Sequence, residues 1–289
     1  VTQMQFEAPT SIDDAVRCLA AAGESAKILA GGTDLLVQLR SGRVSPETIV
    51  DIKQIPELRE VREENGGFRI GAAVAGAELS ENSAVKSAWP GVVEGLDLIG
   101  STQIQGRASL GGNLCNASPA ADSVPAMIAA GAICSVVGPD GRRDVNVEDI
   151  ATGPGQTALS SGEFVASILL PARPPHSGDA YLRFIPRTEM DIAVVGAGVS
   201  LTLDDDGTCV AARVALGAVA PTALLVEAAG AALVGTRVDD AALANLAAAA
   251  SAACNPIDDK RGTIEYRTKV AGVLARRAAE TALERARAN

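Results

Sequence analysis

Two rhythms of apolar and polar residues alternate along this chain, and the switches between them mark its elements. "SIDDAVRCLAAAG" (11–23) sets apolar positions behind a serine cap and two early acids and stops on glycine, which predicts a helix. "AKILAGG" (26–32) reads as a short buried strand ending in a glycine turn, and "TDLLVQLRSG" (33–42) as a second helix with Thr33 and Asp34 in its first turn and Gly42 at its end. "ETIVDIKQI" is another strand, "GGFRIGAAVAGAEL" strand and turn, and "NSAVKSAWPGVVEGLDLIGS" largely helix, interrupted near Pro90. "SVPAMIAAGA" predicts a helix and "ICSVVGPDGRRDVNV" a hairpin around Pro-Asp-Gly. The cluster "PARPPHSGD" (171–179) reads as a linker. Beyond it, "DIAVVGAGVSLTLDDDGTCVAARVALGAV" predicts two strands joined by an acidic turn. Ala-rich helices follow around 223–233 and 239–254, then a long helix over 263–288 with its arginines late, where the helix dipole favours cations. No repeat of solenoid length is visible. The class is α+β, in two parts.

Composition narrows the function. The 289 residues are 47% hydrophobic and 21% charged, ordinary for a folded protein, with aromatics at 2%. A net charge of −10 disfavours nucleic acid and anionic membranes as partners. Cys18, Cys115, Cys134, Cys209 and Cys254 are scattered without a CxxC, which points to a reducing compartment and to no cysteine-held cluster on this chain. The first residues show no signal segment and no apolar run reaches membrane-spanning length. The expectation is a cytoplasmic protein, attached to a membrane through partners if at all.

Chemistry concentrates in two glycine stretches. "LAGGTDLLVQLRSG" has converging N–H groups after a strand, suited to a phosphate; a plain capped Gly-Gly turn has the same appearance, and the Lys-Ser/Thr ending of a P-loop is missing. "GRASLGGNLCNASPAAD" (106–122) is nearly cleared of bulk. Its Gly111–Gly112 pair presents bare backbone, and Asn113, Asn116, Ser118 and Asp122 could meet sugar hydroxyls. Two such loops would grip one extended anionic ligand. "VVGAGVSL" imitates a dinucleotide fingerprint, but Leu201 stands where the third glycine belongs and no helix follows. The single histidine, His176, lies in the linker, which argues against a Ser-His-Asp or Cys-His arrangement and a His-based zinc site. Cys115 reads as a small buried residue.

Four stretches in order, "AGGTDLL", "STQIQGRASLGGNLCNASPAADSVPAM", "PRTEMDIAVVGAGVSL" and "IEYRTKVAGVLARRA", resemble the FAD-binding medium subunit of the molybdenum hydroxylases, the carbon monoxide and xanthine dehydrogenase type, over essentially the whole chain. The resemblance implies a two-part FAD-binding domain of the vanillyl-alcohol-oxidase type over residues 1–175, divided near 55–60, and a C-terminal α+β domain over 177–289. It implies that Ala30, Gly31, Gly32, Thr33, Asp34 and Leu35 wrap the FAD pyrophosphate with Ser109, Gly111, Gly112 and Asn113, and that Asp122 holds the sugar part. Ile99 and Ile192 would lie near the isoalloxazine ring, with Arg187 close by. Some relatives carry an aromatic residue at Ile99 or Ile192, and a cysteine-bearing insertion found in one branch is missing here.

It further implies an electron-transfer subunit of a heterotrimer, arranged as a dimer of heterotrimers. A small subunit with [2Fe–2S] clusters would feed the FAD, a large subunit would hold the molybdopterin cofactor, and NAD, quinone or oxygen would be the acceptor. The rival readings are a stand-alone FAD-dependent reductase of the same fold and a cofactor-free assembly subunit.

Overall fold

The computed structural model describes residues 4–289 and builds three sheets of consequence. The first part runs β1 (Gln5–Glu7), α1 (Ile12–Ala22), β2 (Ala26–Leu29), α2 (Leu35–Arg40) and β3 (Thr48–Asp51), a parallel sheet in the order β1-β3-β2. The serine cap acts as its position suggests: the Asp14 N–H donates to Ser11 Oγ at 3.1 Å, and Gly23 ends the helix at φ +56°. Ala15 and Leu19 of α1 pack on Val50 and Ile52. The second helix is shorter than expected. It begins at Leu35, with Thr33 and Asp34 left in the turn before it.

The chain then forms β4 (Val61–Glu64), β5 (Gly67–Gly71) and a run of short helices: α3 (Gly76–Glu81), α4 (Ser83–Ala88), α5 (Pro90–Asp97), α6 (Thr102–Gln105), α7 (Leu110–Cys115) and α8 (Ser123–Ala129). The break expected near Pro90 is the α4–α5 junction, with Pro90 in the first turn of α5, where its missing N–H costs nothing. Strands β6 (Ile133–Gly138) and β7 (Gly141–Asn146) form the expected hairpin, closed by Pro139 and Asp140. A small hairpin, β8 (Ala151–Gly153) and β9 (Gln156–Thr157), precedes β10 (Phe164–Leu170). Strand β10 sits at the centre of an antiparallel sheet, β4-β5-β10-β6-β7. Its run of buried residues carries no alternation, and neither β4 nor β10 stood out in the sequence.

The stretch read as a linker is only partly one. β11 (Ser177–Phe184) begins inside it, and Arg173 is pinned by an ion pair with Asp179 at 2.9 Å and by the Trp89 ring 5.0 Å away. β12 (Val195–Leu203), β13 (Cys209–Gly217) and the short β14 (Leu224–Leu225) complete an antiparallel sheet in chain order. β14 and α9 (Glu227–Ala231) stand where one longer helix was expected; α10 (Asp240–Ala252) and the 25-residue α11 (Ile264–Ala288) follow.

Both faces of this last sheet are covered. Ala197, Val199 and Leu201 point to α10 and α11, whereas Tyr181 and Ala215 point to the core containing α5 and α8. Here the imitation fingerprint finds its explanation. A Cβ on Gly196 would overlap the Tyr181 hydroxyl, and one on Gly198 would lie 2.6 Å from the Pro125 carbonyl oxygen. Gly198 lets α8 press against the sheet and Gly196 leaves room for the Tyr181 ring, so packing accounts for both glycines. Among the described residues no helix is long and apolar enough to cross a membrane.

Candidate functional site

Strand β2 ends at Leu29, and the chain turns through Ala30, Gly31, Gly32, Thr33 and Asp34 into α2. Gly32 has φ +81°, a conformation glycine adopts without strain. The N–H groups of Gly32, Thr33 and Asp34 donate to no acceptor among the described residues.

The second stretch is not the open loop the sequence suggested. Ser109 caps a helical turn by accepting the Gly112 N–H at 3.0 Å, and α7 runs from Leu110 to Cys115. Gly111 and Gly112 are helical, without positive φ. Their smallness has two different causes. A Cβ on Gly111 would lie 2.7 Å from the Ala72 Cβ, so Gly111 lets α7 press on the chain after β5. A Cβ on Gly112 would meet only Ser109 Oγ, at 3.1 Å, and the Ala30 Cβ, at 3.9 Å. Gly112 therefore faces the first turn across nearly open space. The N–H groups of Leu110 and Gly111, at the start of α7, also lack acceptors among the described residues.

Close backbone contact brings the two stretches together. A Cβ on Gly31 would overlap the Arg107 carbonyl oxygen, and the Arg107 guanidinium donates to Gly31 O at 3.4 Å. Lys53 Nζ donates to Ala30 O at 2.9 Å while paired to Asp51 at 2.6 Å. Gln38 of α2 donates to Asn116 Oδ1 at 3.0 Å at the far end of α7. Two runs of unengaged backbone donors thus lie side by side with no bulky side chain between them, an arrangement suited to a large anion.

The polar side chains expected to meet sugar hydroxyls already have partners inside the chain. Asn113 Oδ1 accepts from Ser123 Oγ at 2.7 Å, Asn116 is held by Gln38, and Ser118 Oγ accepts from Ala120 N at 3.3 Å. Asp122 is buried, and its carboxylate takes Arg183 Nη1 at 2.8 Å and the Tyr181 hydroxyl at 3.1 Å. Burial outweighs the arginine and pushes the Asp122 carboxyl up to about 6. Tyr181 is raised well above its ordinary value, by burial first and then by Asp122. Asp122 therefore joins the two parts of the chain.

Arg183 and Tyr181 escaped sequence reading. The signal was present: Asp179, Tyr181 and Arg183 recur every second residue in "SGDAYLRF", so one face of a largely buried strand is polar. Arg183 also donates to Leu98 O at 2.7 Å, next to Ile99, which is half-buried on the first core. Ile192 is 53% exposed and sits on the turn between β11 and β12. Arg187 closes that same turn, donating to Met190 O at 2.7 Å and facing Asp191 at 3.5 Å. No hydrogen bond or ion pair among the described residues ties Arg187 or Ile192 to the glycine stretches.

Residues 2–173 match the family described as the FAD binding domain in molybdopterin dehydrogenase, and residues 180–282 match the CO dehydrogenase flavoprotein C-terminal domain. This chain belongs to that family. It is an FAD-binding medium subunit of the molybdenum hydroxylases, an oxidoreductase component. It is 38% identical to the carbon monoxide dehydrogenase medium chain of Afipia carboxidovorans over 98% of this chain and 97% of that one. It is 34% identical to the xanthine dehydrogenase FAD-binding subunit of Escherichia coli O157:H7 over 75% and 74% of the two. Among solved structures, reconstituted CO dehydrogenase from Oligotropha carboxidovorans matches with a TM-score of 0.94 at 38% identity over 98% of both chains. The paired donor runs and the space beside Gly112 fit the pyrophosphate of the family's cofactor.

Proposed function

We propose that this medium subunit passes electrons from [2Fe–2S] clusters of a small partner through FAD to an external acceptor, NAD, quinone or oxygen, in a complex whose large subunit holds the molybdopterin cofactor. The observation that carries the reading is the double cradle: backbone donors from two segments some eighty residues apart, side by side with Gly112 facing the space between them. FAD, when bound, supplies all the redox chemistry. The chain binds and orients it: Ala30 to Leu35, with Ser109, Gly111, Gly112 and Asn113, would hold the pyrophosphate, and Asp122 with Arg183 would border the sugar and ring end. Ile99 and Ile192 would cover the ring and keep water from it, with Arg187 at its margin. No general acid or base is required of this chain. We take residues 1–175 and 177–289 as the two functional parts, and the cytoplasm as the compartment.

Purification from the source tests this. The expected result is a yellow chain accompanied by a small iron–sulfur subunit and a large molybdenum subunit, inactive on substrate once separated from them. A lone chain that reduces or oxidises substrate by itself would support the stand-alone reductase instead, and a colourless chain that cannot be loaded with FAD would support an assembly role.

A further inference from the structure

The turn that carries Ile192 is built in an unusual way. Met190 and Ile192 are both about half exposed, and Met190 has φ +53°, which a side chain of its size rarely adopts. A mobile surface turn would relax that strain, yet here ion pairs brace it from below. The Asp191 carboxylate accepts Arg261 Nε at 3.0 Å and the Ile192 N–H at 2.8 Å. Arg261 stands in the loop before α11, where its N–H donates to Asp259 Oδ1 at 2.9 Å. The same oxygen accepts Arg267 Nη2 at 2.6 Å. Arg267 is buried, and its other N–H groups hold Val194 O at 2.9 Å, Ala218 O at 3.4 Å and Gly262 O at 3.3 Å. A chain of four alternating charges therefore runs from inside the C-terminal domain to the backbone of Ile192.

We propose that Arg261 is a positioning residue: through Asp191 it fixes the Ile192 backbone, and so sets how tightly an apolar side chain covers the flavin. This rests on the reading that Ile192 lies over the ring. The chemistry is direct. An apolar cover disfavours added negative charge beneath it and keeps water out. With Arg261 truncated, Asp191 loses the partner that anchors it to the rest of the domain, the turn loosens, and water reaches the ring.

The test uses the full chain loaded with FAD, comparing Arg261→Ala, Ile192→Ala, the double variant and Arg261→Lys. Three quantities are read: FAD affinity, iodide quenching of flavin fluorescence, and the flavin midpoint potential. Arg261→Ala should change affinity less than threefold, since it lies outside the cradle. It should raise iodide quenching and favour reduction about tenfold, which is about 30 mV upward for a two-electron couple. Ile192→Ala should do the same, the double variant should add little to either, and Arg261→Lys should restore part of the effect. If Arg261→Ala leaves quenching and potential at parent values while Ile192→Ala moves both, the positioning role is wrong. If Ile192→Ala moves neither, the placement of Ile192 over the ring is wrong instead. Should Arg261→Ala fail to fold by circular dichroism, Asp191→Asn replaces it with the same expected outcomes.

Discussion

Gly31, Gly112 and Asp122 show how three small changes separate structural from cofactor roles. Gly31 has no room for a Cβ beside the Arg107 carbonyl, so Gly31→Ala should push the two glycine stretches apart and lower both the melting temperature and FAD affinity. Gly112→Val should leave the chain folded and weaken FAD binding strongly, because its methyls enter the space between the stretches. Gly112→Ala should be the mildest, helped by up to about 1 kcal/mol of helix propensity. Flavin fluorescence titration and thermal melts by circular dichroism check the order; parent-like binding by Gly112→Val would make that space irrelevant to the cofactor. Asp122→Ala should cost about 3–5 kcal/mol of stability, since it strands the buried Arg183 charge, and so acts on the fold before it acts on FAD.

The same carboxylate predicts a pH signature. Its folded value, about 6, lies above the ordinary 3.8, so the folded chain binds more protons than the unfolded chain between those limits. Stability from this group is full below about pH 4, falls as pH rises through 6, and is constant above. Urea midpoints of the parent minus those of Asp122→Asn should fall from pH 4.5 to 6 and then level off; a difference rising over that window would show the carboxyl held low by Arg183.

The places of His176 and Cys115 on their elements bear on how the cofactor is attached. His176 precedes β11 and Arg183 lies near its other end, about 23 Å away at 3.3 Å per residue. Cys115, on α7, has its thiol pushed up to about 12 by burial, which leaves it a poor nucleophile. FAD should therefore bind without a covalent link, and acid precipitation should release all the yellow colour; colour kept in the pellet contradicts this. The same level shows where the pattern could be read. α1, α8, the β6–β7 hairpin, β12 and β13 were legible because caps, turn residues and alternation act within a few residues. β4, β10 and the helical state of residues 110–115 were not: β4 is a four-residue edge strand with one apolar residue and three charges, the buried β10 shows no alternation, and a glycine pair suits a turn as well as a helix start.

At the scale of the whole molecule, the C-terminal sheet is shared between two cores, and α8 is pressed into it at Gly198. Unfolding should be one transition. Fluorescence of the single tryptophan, Trp89, in the first core, and far-UV circular dichroism should give coincident urea curves. Gly198→Ala, whose Cβ would lie 2.6 Å from the Pro125 carbonyl oxygen, should separate them or shift both to lower urea. Parent-like, coincident curves for that variant would mean that α8 and the sheet part without cost.

The sequence by itself determined the α+β class, the caps and turns, and two glycine stretches in an order that resembles one family. These are local properties, or properties of order along the chain. Tertiary structure alone decided that Gly31 and Arg107 touch, that Gly112 is open while Gly111 is packed, that the Asn113 and Asn116 carbonyl oxygens are already engaged, and that Asp122 meets Arg183. Contacts such as Gly31 with Arg107 and Asp122 with Arg183, 76 and 61 positions apart, depend on how strands and helices pack, and no local pattern of side chains carries that information.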